Sequence, residues 1–244
     1  MSTLRSYRLL LTWQAHRLKG FLPLAIVVQA LFALGIVAGY PMLFPQMDRL
    51  TILFLATGAP TITLITMGVV AVPQLVAQAK TEGTLDYMRA LPVPRLVYLF
   101  ADLTVWLAVV LPGVAFAILV GAIRFDLDLA VTPLIVPAML LVALTATSMG
   151  YAIASLLPQM IANLLTQILV VFVLMFSPLN FPADRLPAWL AALHQVLPFQ
   201  AMGEVVRGTL ASGTFPVAGT AFALLGAWCL ASFVVTYWIL SRRS

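Results

Sequence analysis

The sequence predicts an all-α polytopic membrane protein. It has six transmembrane helices, an amino-terminal interfacial helix, a charged helical connector between the second and third spans, and short re-entrant helices before the sixth. Three observations predict this. Hydrophobic residues make up 63% of the 244-residue chain and charged ones 9%, against about half and about a quarter in soluble domains. Apolar blocks with almost no charge recur at 21–40, 51–76, 97–121, 131–157, 160–178 and 216–240; a helix needs about 20 such residues to cross a bilayer. The cations divide unevenly across that scheme. Arg5, Arg8, Arg17, Lys19, Lys80, Arg89, Arg95, Arg242 and Arg243 fall on one side, and only Arg49, Arg124, Arg185 and Arg207 on the other. This is the positive-inside bias, and it predicts a multi-pass protein of the cytoplasmic (inner) membrane with both termini in the cytoplasm. The basic balance thus reports topology and contact with anionic lipid, not a nucleic-acid partner.

Residues 2–19 carry Arg5, Arg8, Thr12, His16 and Lys19 at three- and four-residue spacing, with Leu4, Tyr7, Leu11 and Leu18 on another side. That pattern predicts a helix lying in the membrane interface. No small-residue cleavage site follows the first apolar block, so it reads as a span rather than a signal peptide. Thr57, Thr61, Thr63 and Thr66 lie in the second span with Pro60 and Pro73, which predict kinks. The fourth span places Gly150, Ala154 and other small residues four apart, suited to close helix approach in lipid. Asn163 and Gln167 sit one turn apart on the fifth span, as a helix contact or as the wall of a polar cavity.

The segment 177–215 is too long for a simple turn. Leu186, Trp189, Leu190, Leu193 and Leu197 predict a short amphipathic helix stopped by Pro198. A second helix near 200–210 carries Glu204 and Arg207 at the spacing of a surface ion pair. No domain boundary or repeat is visible, and residues 1–244 read as a single transmembrane domain. Its parts are an interfacial helix at 1–20, a connecting loop at 80–95 and an extracytoplasmic segment at 177–215.

Catalytic chemistry finds little support. A phosphate-binding G-x-x-x-x-G-K-[ST] loop is excluded, because the chain has only two lysines, Lys19 and Lys80, and neither has that context. His16 and His194 fall on opposite sides of the membrane and cannot share a metal. Cys229 lies inside the last span and has no cysteine to pair with. Asp102 sits a turn inside the third span with no partner at similar depth, which argues against an ion-coupled carrier. A membrane-embedded enzyme would need clustered His, Asp or Glu at one interface, and the sequence has no such cluster.

The densest polar stretch is 80–95, between the second and third spans. Thr84 can cap a short helix, Asp86 favours its first turn, and Pro92 and Pro94 end it. Leu85, Met88 and Leu91 share one face, with Glu82 and Gly83 just before and Arg89 beside. A solvated loop holding topology would account for the cations, but not for the acids or the apolar spacing. The stretch reads as a docking element for a soluble partner.

At this point the sequence resembles the ABC-2 family of permease subunits. Glu82-Gly-Thr-Leu-Asp86 with Pro92-x-Pro-Arg95 is similar to that family's E-x-G-T-L-[ED]…P-x-x-R loop. Asn180-Phe-Pro182, Leu186-Pro-x-Trp-Leu190, Leu197-Pro198 and Glu204-Val-Val-Arg207 are similar to its pattern after the fifth span. The resemblance implies that 84–91 is a coupling helix seated in a separate nucleotide-binding ATPase. Glu82, Gly83, Thr84, Leu85, Asp86, Met88 and Arg89 would form the docking set. It implies a second permease copy or a related permease, with ATP and Mg on the ATPase and no cofactor on this chain. It also implies a path near the dimer axis, with Thr57, Thr61, Asn163 and Gln167 as lining residues. Export of a hydrophobic or amphipathic drug or natural product is the leading expectation, and export of a lipid or lipid-linked glycan the alternative.

Overall fold

The computed structural model of the chain describes residues 3–43, 46–83, 94–127 and 129–241, and among them there are helices and no strand. Helix α1 (Thr3–Leu18) precedes the first span, which is α2 (Leu22–Leu34), a π turn (Gly35–Gly39) and α3 (Tyr40–Leu43). The second span is α4 (Arg49–Thr66), a π turn (Met67–Ala71) and α5 (Val72–Thr81). Then come α6 (Arg95–Phe125), α7 (Ile135–Leu156) and α8 (Gln159–Phe176). Two short helices follow, α9 (Ala188–Val196) and α10 (Pro198–Leu210), and last α11 (Gly219–Ser241). Among the described residues, six stretches are long and apolar enough to cross a membrane: Leu22–Met42, Arg49–Thr81, Leu96–Phe125, Ile135–Leu156, Gln159–Phe176 and Gly219–Ile239. The chain is a multi-pass membrane protein.

The second span is the buried centre. Leu55, Ile62, Leu64 and Val69 are shielded within it and share a core with Val142 and Ala146 of α7, Met202 and Val205 of α10, and Leu225 of α11. Lipid tails are as apolar as these side chains, so close packing rather than water exclusion holds such helices together. Glycine permits the closest approach. A Cβ on Gly150 would run into the carbonyl of Gly68, and one on Gly68 would overlap Ala146. By contrast α2, α8 and α11 leave apolar rows uncovered, including Leu31, Leu164, Ile168, Met175 and Leu230.

Of the two kinks expected, Pro60 lies inside the continuous helix α4, whereas Pro73, like Pro41 of the first span, follows a π turn. Proline cannot donate to the carbonyl four residues back, which is Val37 for Pro41 and Val69 for Pro73. Both carbonyls lie inside the two π turns, where the helix widens. The prolines therefore reshape their spans without ending them, and the second span runs on to Thr81 rather than stopping near 76. The fourth span begins later than expected, because 129–134 form a turn fastened to α10 by Thr132 N–H donating to the Thr209 carbonyl, 2.9 Å.

Helix α1 packs along α6 through Ser6, Leu10 and Gln14. Its basic stripe Arg5, Arg8, Thr12, His16 and Lys19 stays exposed, as the spacing predicts. Tyr7 reaches across α6 to the Thr104 hydroxyl at 2.8 Å. The buried strip is thus partly polar, and Leu4 on the apolar side is left uncovered by the chain.

Candidate functional site

The polar stretch after α5 begins with an ordered stop. Glu82 N–H donates to the Gln78 carbonyl (3.0 Å), and Gly83 N–H to the Lys80 carbonyl (3.2 Å). Gly83 has φ +72°, the left-handed turn that closes a helix without a Cβ clash. Gln78 Nε2 donates to Glu82 Oε1 at 2.7 Å, holding an exposed carboxylate at the exit. Lys80 turns the other way: its Nζ donates to the carbonyls of Ala154 (2.6 Å) and Ser155 (3.3 Å). These carbonyls belong to the last turn of α7, where intrahelical partners run out and a cation is favoured. The root of the stretch is therefore clamped to α7. Thr84, Leu85, Asp86, Met88 and Arg89 lie outside the described residues, as does the coupling helix expected at 84–91. The chain resumes at Pro94, the residue before α6.

The four expected path residues do not share a surface. Thr57 and Thr61 are buried, and their hydroxyls donate back to the carbonyls of Leu53 (2.7 Å) and Thr57 (3.0 Å). Asn163 is half-buried and Gln167 exposed, both on the sparsely covered α8. A glutamine amide facing hydrocarbon at mid-span is costly unless another polar or protein surface meets it.

At the opposite end of the bundle, the expected surface ion pair of Glu204 and Arg207 is corrected. Arg207 is buried, and its guanidinium addresses α4 and the segment after α8. Its Nη2 donates to the Leu179 carbonyl (2.8 Å) and its Nε to the Thr57 hydroxyl (3.3 Å). It also lies 3.8 Å from the centre of the Phe54 ring. Burial lowers its pKa to about 10, with Glu204 acting the other way, so the group stays charged at neutral pH. The aromatic face and the carbonyl offset that burial. Glu204 instead accepts from Gln200 Nε2 at 2.7 Å. Neighbouring Asn180 fits only because Gly58 lacks a side chain: a Cβ there would come within 2.5 Å of Asn180 Oδ1. Three-residue spacing on α10 placed Glu204 and Arg207 near each other, but nothing in it said which face α4 would cover.

Asp102 also gains partners that span-by-span reading missed. It is buried beside Gln14, Arg17 and Trp106, around a cavity of about 30 Å³. Asp102 Oδ2 and Gln14 Nε2 are both unpartnered there, an acceptor and a donor around a space large enough for water. The partners come from α1, not from another span. Buried Gln14 at the i+4 step from Leu10 was the available signal. His194, on α9, is buried, stacks on Phe172 and shares a hydrogen bond of 3.0 Å with the Phe176 carbonyl through Nε2. Among the described residues no His, Cys, Asp and Glu cluster suited to a metal occurs.

The family model described as ABC-2 type transporter matches residues 4–211. Comparison with curated proteins and comparison with solved structures each found no match. The family match takes in α1, the first five spans, the clamped polar stretch and the α9–α10 pair. The chain belongs to the ABC-2 type transporter family, as a membrane-embedded permease subunit of a transporter powered by a partner ATPase.

Proposed function

We propose that this permease exports a hydrophobic or amphipathic compound, a drug or natural product, across the cytoplasmic membrane. A separate nucleotide-binding subunit carries ATP and Mg, and this chain works as one transmembrane domain beside a second copy or a related permease. Both termini and the 80–95 stretch face the cytoplasm in this reading, as the excess of cations on that side favours. Glu82, Gly83, Thr84, Leu85, Asp86, Met88 and Arg89 form the docking set, and α8, with Asn163 and Gln167, faces the path. Thr57 and Thr61 take part only by fixing the shape of α4.

One observation carries the reading: the family match spans a chain whose polar stretch leaves α5 from a clamped, glycine-closed end. Force applied at that stretch passes directly to α5 and, through Lys80, to α7. The test is ATP-driven uptake of a lipophilic fluorescent amine into inside-out vesicles holding the permease with its ATPase. Accumulation that needs both chains and hydrolysable ATP is expected. Uptake that persists without the ATPase, or that needs only an ion gradient, would overturn the proposal.

Two adjoining cavities, one bearing charges of both signs and one almost wholly apolar, favour the lipid-like alternative as a second reading.

A further inference from the structure

At the end of the bundle away from Lys80 and Gly83, a cavity of about 420 Å³ lies between residues 46–51 and the 180–185 segment. This is within the size range of small-molecule sites, about 300–1,000 Å³. Asp48 and Arg185 put an anion and a cation on its wall, alongside Thr51 and Asn180. The Asp48 carboxylate accepts from the Thr51 hydroxyl, and that bond, aided weakly by Arg185, holds its pKa below the usual value. Among the described residues Asp48 and Arg185 do not close into an ion pair, so both charges remain available to a ligand.

Asn180 is only 4% exposed, and its Oδ1 has no hydrogen-bond partner. It lines the same cavity with its carboxamide wedged against Gly58. Tyr40 lines this cavity and also a second one. The second is an apolar groove of about 570 Å³ between α2 and α8, open along one side and bordered by Leu31, Gly35 and Met175. A charged chamber of both signs thus meets a greasy, laterally open slot at one residue.

We propose that the two spaces together hold one zwitterionic phospholipid, its ammonium group at Asp48, its phosphate at Arg185 and an acyl chain in the α2–α8 groove. Charge complementarity selects the headgroup. A purely anionic lipid would set its phosphate against Asp48 as well as Arg185, and an uncharged one would leave both side chains unused. The groove selects a chain-bearing molecule over a free headgroup. That this amphiphile is cargo rests on the exporter reading; its binding does not.

The test uses the full-length permease in detergent, without ATPase, so that failure here is separable from failure of ATP coupling in vesicles. Phosphatidylethanolamine is the probe, with phosphatidylglycerol, diacylglycerol and soluble glycerophosphoethanolamine as comparators in native mass spectrometry. Phosphatidylethanolamine is expected to bind about tenfold more tightly than diacylglycerol. Asp48→Asn should abolish its preference over phosphatidylglycerol. Arg185→Gln should weaken both phospholipids about tenfold, and Arg185→Lys should restore most of that. Gly35→Leu extends into space with no atom within 4 Å of its Cβ position, and should weaken every chain-bearing ligand while the protein stays monodisperse. Equal binding of phosphatidylethanolamine and diacylglycerol, or unchanged binding in the charge variants, would overturn the headgroup assignment. Competition by glycerophosphoethanolamine at the lipid's own concentration would overturn the groove assignment.

Discussion

Lys80 Nζ lies 2.6 Å from the Ala154 carbonyl, so the last turn of α5 and the last turn of α7 are joined just before the polar stretch proposed to dock the ATPase. A charge-assisted bond of this kind contributes about 1.5–3 kcal/mol where it is sheltered. Lys80→Met should lower the thermal midpoint of the permease in detergent and weaken stimulation of its partner ATPase by severalfold. Lys80→Arg should retain most of both. Equal behaviour of Met and Arg variants in the ATPase assay would show that the clamp transmits nothing.

Gly83, at φ +72°, sets the direction in which the chain departs from α5. A left-handed conformation costs an ordinary side chain about 1–2 kcal/mol. Gly83→Val is therefore expected to lower ATPase association while Gly83→Asn, a residue tolerated at this turn, retains it. Association is read by co-purification at fixed expression. Loss in both variants, or in neither, would contradict the role of the turn.

Arg207 replaces a surface ion pair with a buried fastening between α10, α4 and the Leu179 carbonyl. Truncation to Ala leaves that carbonyl without its donor and opens space beside Phe54 and Phe215, at a cost of about 1–3 kcal/mol or more. Arg207→Met fills the volume without a buried charge and should cost less. Unfolding monitored by tryptophan fluorescence distinguishes them, with the midpoint of Ala expected below that of Met.

His194 supplies a pH dependence of definite sign. Burial lowers its pKa from the ordinary 6.5, so the unfolded chain takes up the proton first as pH falls. Stability from this group is fully present above about pH 6.5 and declines between there and the lower folded-state value. The midpoint should drop between pH 7.5 and 5.5 in the native protein, and His194→Gln should flatten that part of the profile. An equal drop in both proteins would assign the effect elsewhere.

The uncovered face of α8 gives a proximity test. In a Cys229→Ala background, Gln167→Cys should form a disulfide-linked pair in membranes, whereas Leu230→Cys on α11 should not. Dimer bands from Leu230→Cys alone would put the second copy on the other side of the bundle.

Sequence and structure agree where periodicity and span length carry the information. The six spans and the exposed stripe Arg5–Arg8–Thr12–His16–Lys19 follow from the position of apolar and basic residues alone. What pattern reading lacked is knowledge of neighbours. It set Arg207 on a surface because the segment Leu179–Asn180 and α4, which cover it, lie far away in sequence. It left Asp102 without a partner because Gln14 and Arg17 come from outside the spans. It read Pro60 and Pro73 alike as kinks, yet α4 runs on through Pro60 while a π turn precedes Pro73, because a π turn depends on which carbonyl is released and what packs beside it. The 80–95 stretch stood out in the sequence by its charges alone, and the structure describes its root, Lys80, Glu82 and Gly83.

The most direct measurement of the central claim is photo-crosslinking from the docking stretch. A benzophenone placed on Met88→Cys, in the Cys229→Ala background and in membranes containing the partner ATPase, should yield an adduct containing both chains. The same label on Thr214→Cys, exposed at the opposite end, should yield none. An adduct from position 214 with none from position 88 would contradict the docking account and reverse the proposed orientation.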